Sequence, residues 1–421
     1  MCHTYCARAY TLLVPLMADY ILCYLFLFQT FILMSFRGCV GWAGFPKHLL
    51  DAVLDKLECS VDYLQFGCVC LSWHSVLKDN QVKLNKKLRH HQAPMLLVPN
   101  MSDNHVWRIY NVMENKFLLS TLSIPYDKRF CGSSQGWLVF VHNDWSVSLY
   151  KPFSNQDSNI RLPCLFPPSL EVYDISITQI YDYHIHKVFI TADPQTNPNE
   201  CTVFVIFSDF YKVAFIKLSE DTKWTLLVDV DERFFGEDLM QFENEIYCVT
   251  DVGNLHVLDV TDSNNPNVEW VVADYFRNTD SVKRYIVELD GNLLQVERTY
   301  TYEDYETEYG RRETVKFRVL QLDLSTDQWN EIESLGDYSL FLGVNSSISV
   351  QASNVTGCQR NCIYFTQDVD DLYWHTAMIC DLGIYDVQSK EFRFHFNIDS
   401  SALDMMTRRP PIWVVPTFDM Y

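Results

Sequence analysis

Apolar residues recur at two different periods along this chain, and the change near residue 95 divides it. Between Gly44 and Asn80, Leu49, Leu50, Val53, Leu54 and Leu57 return at steps of three and four. That spacing gathers side chains on one face of a helix. Pro46 suits the first turn, where its missing N–H costs nothing. Asp62, with Gln65 three residues on, reads as a capping box for a second helix. The apolar face of that helix is Leu64, Phe66, Val69, Cys70, Trp73, Val76 and Leu77. A unit of about 37 residues keeps much of its surface in water. Its excess apolar face therefore needs cover, either from the rest of the chain or from another protein.

From Met95 the period shortens and strand-like runs dominate. They include Met95–Val98, Val106–Val112, Trp137–Val141, Thr202–Phe207, Glu245–Thr250, Leu293–Glu297, Lys316–Leu322 and Cys362–Thr366. All are rich in Val, Ile, Phe, Tyr and Trp, as strands are. Turn signals such as Asp290-Gly291-Asn292 and Val252-Gly253-Asn254 separate them. No long amphipathic helix intervenes, which argues against a parallel α/β sheet.

The runs form a repeat. Trp224, Trp270, Trp329 and Phe392 each follow an apolar strand and an Asp-containing polar turn, at spacings of 46, 59 and 63 residues. Four-stranded units at periods of about 40–50 residues indicate propeller blades, each burying its faces only against its neighbours. Two less regular units fit at about 95–125 and 130–165, for about six blades in all. The rival, a pair of β-sandwiches, does not need an aromatic closing each unit. The expected fold class is multidomain: a small all-α helical module, then an all-β propeller.

Composition narrows the function. The 421 residues carry a formal charge of −21, which opposes non-specific nucleic-acid binding. The one basic run, Lys83 to Arg89, reads as a solvated face or linker. Fourteen cysteines show no zinc-ligand spacing and read as mostly buried thiols in a reducing compartment. Tyr20 to Phe36 is uncharged over 17 residues, at the lower edge of the ~20 that span a bilayer. Arg37, Lys47 and Lys56 follow it against Arg8 before, so an anchor would leave the rest of the chain in the cytoplasm. Alternatively Met34 is a usable start and residues 1–33 are an upstream extension. Both readings stay open.

Candidate chemistry is thin. Gly132-Ser133-Ser134-Gln135-Gly136 matches the nucleophile-elbow pattern, which needs a helix to follow. A strand, Trp137–Val141, follows instead, so a Gly/Ser turn opening a blade fits better. His184-x-His186 lacks further ligands at a fixed spacing. Asp229, Asp231, Glu237 and Asp238 lack the glycine and ligand order of a calcium loop. No catalytic, cofactor or metal site is expected. The insert from Thr299 to Arg312, TYTYEDYETEYGRR, is the most distinctive loop. Tyr300, Tyr302, Tyr305 and Tyr309 offer contact area at low entropy cost and the carboxylates attract a basic segment; the bland reading is a solvated hairpin extension.

Phe45-Pro46, Leu49-Leu50 and Val69-Cys70-x-x-Trp73 fall in the order and register of the F-box, which this segment resembles. Phe45, His48 and His74 depart from the usual Leu, acidic and Arg/Lys residues. The later chain resembles the kelch-like propeller that follows the F-box in a large plant family. The matching residues are Cys131-Gly132-Ser133-Ser134-x-Gly136-Trp137-Leu138, Tyr150 to Ser154, Asn361 to Thr366 and Asp381-x-Gly383-Ile384-Tyr385-Asp386. The double glycine of ordinary kelch repeats is absent.

The resemblance implies a non-catalytic substrate receptor of a Skp-cullin-F-box ubiquitin ligase. Pro46, Leu49, Leu50, Leu57, Val69, Cys70 and Trp73 would hold the Skp-type adaptor, and through it a cullin; the propeller would hold an unknown target protein. The implied domains are a leader at 1–37, an F-box at 42–82, a linker at 83–94 and a propeller at 95–416. The implied place is cytoplasm or nucleus, or a membrane facing the cytoplasm if residues 20–36 anchor. The alternative is a propeller interaction module uncoupled from the adaptor.

Overall fold

The helical period of the early chain produces two short helices in the computed structural model: α1 (Lys47–Leu54) and α2 (Leu71–Asp79). The structure describes residues 44–57 and 69–80 with a few neighbours up to 84. Between 93 and 415 it describes all but 101–105, 124–128, 135, 143–145, 152–158, 166–184, 208–210, 228–233, 273–280, 304–310, 344–346, 368–380 and several positions after 393. Two compact units result, the second running from Ala93 to Thr417. Pro46 stands one residue outside the first turn rather than in it. It is the N-cap, with extended backbone (φ −60°, ψ 137°), and its carbonyl accepts the Leu49 and Leu50 amides at 3.0 and 3.2 Å. The capping pair expected at Asp62 and Gln65 lies outside the described residues, as does Tyr20–Phe36. Among the described residues no helix is long and apolar enough to cross a membrane.

The second unit is a six-bladed β-propeller, not a pair of sandwiches. Blade 1 holds β1 (Met95–Pro99), β2 (Val106–Asn111) and β3 (Lys116–Ser123). Blade 2 holds β4 (Arg129–Ser134), β5 (Trp137–Val141), β6 (Ser146–Tyr150) and β7 (Asn159–Cys164). Blade 3 holds β8 (Ile185–Ile190), β9 (Thr202–Phe207), β10 (Lys212–Lys217) and β11 (Thr225–Leu227). Blade 4 holds β12 (Gly236–Phe242), β13 (Glu245–Thr250), β14 (Leu255–Asp259) and β15 (Asn267–Val272). Blade 5 holds β16 (Val282–Leu289), β17 (Asn292–Glu303), β18 (Arg311–Asp323) and β19 (Gln328–Ile332). Blade 6 holds β20 (Tyr338–Leu342), β21 (Ser347–Gln351), β22 (Cys362–Phe365), β23 (Gly383–Asp386) and β24 (Glu391–Arg393).

Blade 6 departs from the four-stranded rule. Its order is β21-β20-β22-β23-β24, with β20 and β22 parallel. The last strand, β25 (Ile412–Val414), joins blade 1 beside β1, Met95 facing Val414, and so closes the ring. Trp413 on β25 is fully buried; its ring meets Phe341 at 5.1 Å and its Nε1–H donates to the Leu342 carbonyl at 3.0 Å. A Cβ on Gly343 would come within 3.0 Å of Trp413 and 2.7 Å of Thr366 Oγ1, so only glycine admits the indole there.

Apolar clusters fill the seams between blades, as the repeat requires. One joins Trp137, Val139 and Leu149 of blade 2 to Val188, Val203 and Val205 of blade 3. Another joins Val296, Phe317 and Val319 of blade 5 to Leu340, Ile363 and Phe365 of blade 6. The repeating Asp acts through local turns. Asp259 accepts the Thr261 amide at 2.9 Å, Asp323 the Ser325 amide at 2.9 Å, and Asp386 the Gln388 and Ser389 amides at 3.1 and 2.9 Å. Each caps its own turn in the manner of an Asx-turn. The aromatic that follows starts or enters the outermost strand: Trp270 in β15, Trp329 in β19, Phe392 in β24, and Trp224 just before β11. Blade 1 has a fifth copy unnoticed in the sequence: Asn111 accepts the Met113 and Glu114 amides, with Phe117 behind them in β3.

Candidate functional site

In the helical unit, apolar spacing divides the residues between inside and outside. Leu50, Leu54, Tyr63, Phe66, Trp73, Val76, Leu77 and Leu84 form its core, with Phe45, Val53, Leu57, Val69 and Cys70 packed against it. The Phe66 and Trp73 rings lie 4.5 Å apart. Leu50 (1% exposed) and Trp73 (6%) are thus spent holding the two helices together. Pro46 and His48 are exposed and Leu49 is half-buried. The residue that sequence reading missed is Leu71, 88% exposed at the start of α2. It lies two residues before Trp73, roughly 200° away around the helix, so a helical projection would have placed it opposite the core.

In the propeller, the starts of β8, β12 and β16 bring charged residues together at one end of the central strands. Asp238 is the hub. Its carboxylate takes Lys187 of β8 as an ion pair, accepts the Leu239 and Ile286 amides at 2.8 and 2.9 Å, and accepts Ser347 Oγ of β21 at 2.8 Å. It ties four blades at once. Glu237 beside it lies 3.8 Å from Lys283 and 3.6 Å from Arg284. Burial pushes the Glu237 carboxyl up to about 7, against the pull of Lys283 and Arg284. Arg284, fully buried, donates to the Asp251 carbonyl and lies 3.7 Å from Glu297. Arg318 and then Glu331 extend this row to the blade edge at 2.9 and 2.8 Å.

The tyrosine-bearing insert rises from the same end of blade 5. The register of β17 and β18 runs Tyr300 to Thr314, Thr301 to Glu313, Tyr302 to Arg312 and Glu303 to Arg311. Tyr300 is half-buried; Tyr305 and Tyr309 lie outside the described residues. Arg298 anchors the root of the hairpin to blade 6. Its guanidinium donates to Thr314 Oγ1 (2.7 Å), the Thr366 carbonyl (2.8 Å) and Asp381 (2.9 Å), and sits 4.8 Å from the Phe365 ring. Nearby, His186 stacks on Tyr211 at 4.2 Å, and the Lys283 ammonium lies 5.8 Å from the same ring.

The Gly/Ser turn expected to open blade 2 is corrected by the structure. Gly132–Ser134 belong to β4 and pair with β5, and the turn falls at Gly136, with φ +81°. Ser134 Oγ accepts the Ile190 amide at 3.0 Å and donates to its carbonyl at 3.4 Å, a stitch between blades 2 and 3. Among the described residues no three His, Cys, Asp or Glu side chains gather as metal ligands. His184, Asp229 and Asp231 lie outside those residues, while Glu237 and Asp238 are committed to Lys and Arg partners.

A family model described as the KIB1-4 beta-propeller matches residues 109–386. The F-box protein SKIP23 of Arabidopsis thaliana is 24% identical over 414 residues, covering 89% of this chain and 96% of that protein. The probable F-box protein At4g22165 of the same plant is 24% identical over 391 residues, with coverage of 89% and 96%. Among solved structures, the Cps50 (Swd1) β-propeller domain of Myceliophteria thermophila aligns with 9% identity and a TM-score of 0.35, covering 73% of this chain and 87% of that one.

Proposed function

Because the chain belongs to the KIB1-4 beta-propeller family, we propose that it is the substrate-recognition subunit of a Skp-cullin-F-box type ubiquitin ligase. One observation carries the reading. The family model starts at residue 109, yet the likeness to proteins named F-box proteins spans 89% of this chain. The helical segment before the propeller is therefore part of what is shared. In this reading residues 42–82 are the F-box, 83–94 the linker and 95–416 the target-binding propeller, working in cytoplasm or nucleus.

The chain contributes no catalytic group in this scheme. It raises the target's effective concentration near a ubiquitin donor held by other subunits. Leu50, Leu57, Val69, Cys70 and Trp73 shape the helical unit from within, while Pro46, Leu49 and Leu71 offer the outer apolar surface to the Skp-type adaptor. Tyr300, Tyr302, Tyr305 and Tyr309 are the residues assigned to target binding in this scheme.

The test is co-purification of the full chain with a plant Skp-type adaptor. Burying a Leu side chain is worth about 1.5–3 kcal/mol, so Leu71→Asp should cut capture at least tenfold while the circular-dichroism spectrum stays unchanged. Capture of wild type and variant alike would remove Leu71 from the contact. Capture of neither would favour the uncoupled propeller, the reading to which His48 and His74 point. With an adaptor-competent protein, Tyr300→Ser/Tyr302→Ser should reduce target recovery and leave adaptor recovery intact.

A further inference from the structure

The end of blades 4 and 5 opposite the tyrosine hairpin carries a groove. Turns between β12 and β13, β16 and β17, and β18 and β19 enclose a cavity of about 480 Å³. Its floor is Phe242, Leu293 and Leu322, none more than 5% exposed. Ile332 and Leu324 wall it, and Leu324 is 51% exposed, a large apolar side chain held up beside an opening. Asn292, Gln321 and Asn330 add neutral polar groups, and among the described residues no Lys or Arg lines it.

Acidic residues border it. Asp290, before lining residue Gly291, accepts the Tyr338 hydroxyl of blade 6 at 3.2 Å, and Glu333 follows lining residue Ile332. Asp323 lines the groove itself; hydrogen bonds from the Ser325 hydroxyl and amide hold its carboxyl below the usual range. Phe242 packs on Tyr247 at 6.1 Å, and that phenol donates to Glu245 at 2.8 Å. Burial and the neighbouring Glu245, Glu243 and Asp327 raise its pKa. Glu333 has a loose partner in Lys390 at 3.9 Å.

We infer that this groove docks a segment of a partner protein in which an aliphatic residue is flanked by Lys or Arg. The aliphatic side chain covers the floor against Leu324 and Ile332. The flanking cations meet Asp323, Asp327 and Glu333. Charge complementarity selects this occupant, since an acidic or phosphate-bearing segment would face like charge there. An apolar centre inside a charged rim is also the ordinary anatomy of a protein interface. β17 begins at the groove, with Asn292, and ends in the hairpin, at Glu303. Twelve residues of strand separate the two by roughly 40 Å, so both can be occupied together. The inference stands apart from the ligase reading and from the tyrosines.

The experiment is fluorescence anisotropy on the full chain with three labelled dodecapeptides at low and moderate salt. One alternates Lys-Arg pairs with Leu, one carries Ser for every Leu, and one carries Glu for every cation. The Leu-bearing basic peptide should bind at least tenfold tighter than the Ser peptide, and the Glu peptide should not bind. Leu324→Ser/Glu333→Lys should weaken binding at least fivefold. Ser325→Trp, which blocks the mouth, should do the same, and Thr222→Ala, at an exposed position in the turn before β11, should leave binding unchanged. All these groove changes fall at exposed positions, and unchanged thermal melts would verify the fold. Equal affinity for the Leu and Ser peptides would mean attraction to net charge alone and overturn the inference. So would full binding by both groove variants.

Discussion

Two buried arginines stand on adjacent strands of blade 5, Arg284 on β16 and Arg298 on β17, and the protein treats them differently. Arg298 faces blade 6 and Arg284 faces blade 4; both are fully buried. The Arg298 guanidinium donates through all three nitrogens, and its carboxylate partner Asp381 also accepts Thr314 Oγ1 at 2.6 Å. Among the described residues, Arg284 Nε and Nη2 have no hydrogen-bond partners, and Glu237 and Asp251 each present one buried oxygen in the same condition. Burial keeps the Asp251 carboxyl raised even beside Arg284. The lesson concerns what a buried charge needs. Coulomb attraction at 3.6–3.7 Å does not replace hydrogen bonds lost from water. One seam is a saturated joint and the other carries a standing electrostatic cost.

The sharpest way to break the comparison is Arg298→Ala. Removing one partner of a saturated buried pair leaves Asp381 uncompensated, and a loss of about 3–5 kcal/mol is expected. Chemical denaturation would show it, and a loss below about 1 kcal/mol would contradict the joint. Glu237 gives the next effect. Its folded pKa, about 7, stands above the 4.5 of the free group. Its stabilising contribution is therefore complete below about pH 4.5 and is lost as the pH rises through 7. At about 1.4 kcal/mol per unit, the loss by pH 8 is roughly 3 kcal/mol. Glu237→Gln should remove that slope, measured as the difference from wild type between pH 5 and pH 8. The smallest effect belongs to Glu237→Leu/Arg284→Met. Replacing an unsaturated buried pair by apolar groups should change stability by no more than about 1 kcal/mol, and a large loss would show that the blade 4 seam is better satisfied than its geometry indicates.

The sequence revealed what local chemistry controls. The Asp of each repeat folds its own turn, so Asp259, Asp323 and Asp386 could be read without knowing any neighbour. Central strands such as β5 and β9, buried on both faces, show as continuous apolar runs. Strands outside that middle layer do not. β7 (NIRLPC) and β19 (QWNEI) alternate with exposed polar residues, and β12 (GEDLMQF) carries the buried carboxylates Glu237 and Asp238. Arg284 and Arg298 were illegible for another reason: their partners stand 13 to 83 residues away, on other strands and other blades, and nothing beside them in sequence announces a buried charge. The parallel pairing of β20 with β22 depends on β21 folding back as the inner strand, a choice made only in the assembled ring.

The pairing of β25 with β1 also sets an order of events in the cell. Leu97 finds its neighbour Ile412 only after more than three hundred further residues have been made. At about 5–20 residues per second that is on the order of 15–60 s of synthesis. During that interval blade 1 has an open edge strand, the kind of surface on which other chains add. A nascent chain of this protein thus needs that edge shielded until β25 emerges, and three residues, Ile412–Val414, decide whether the ring shuts.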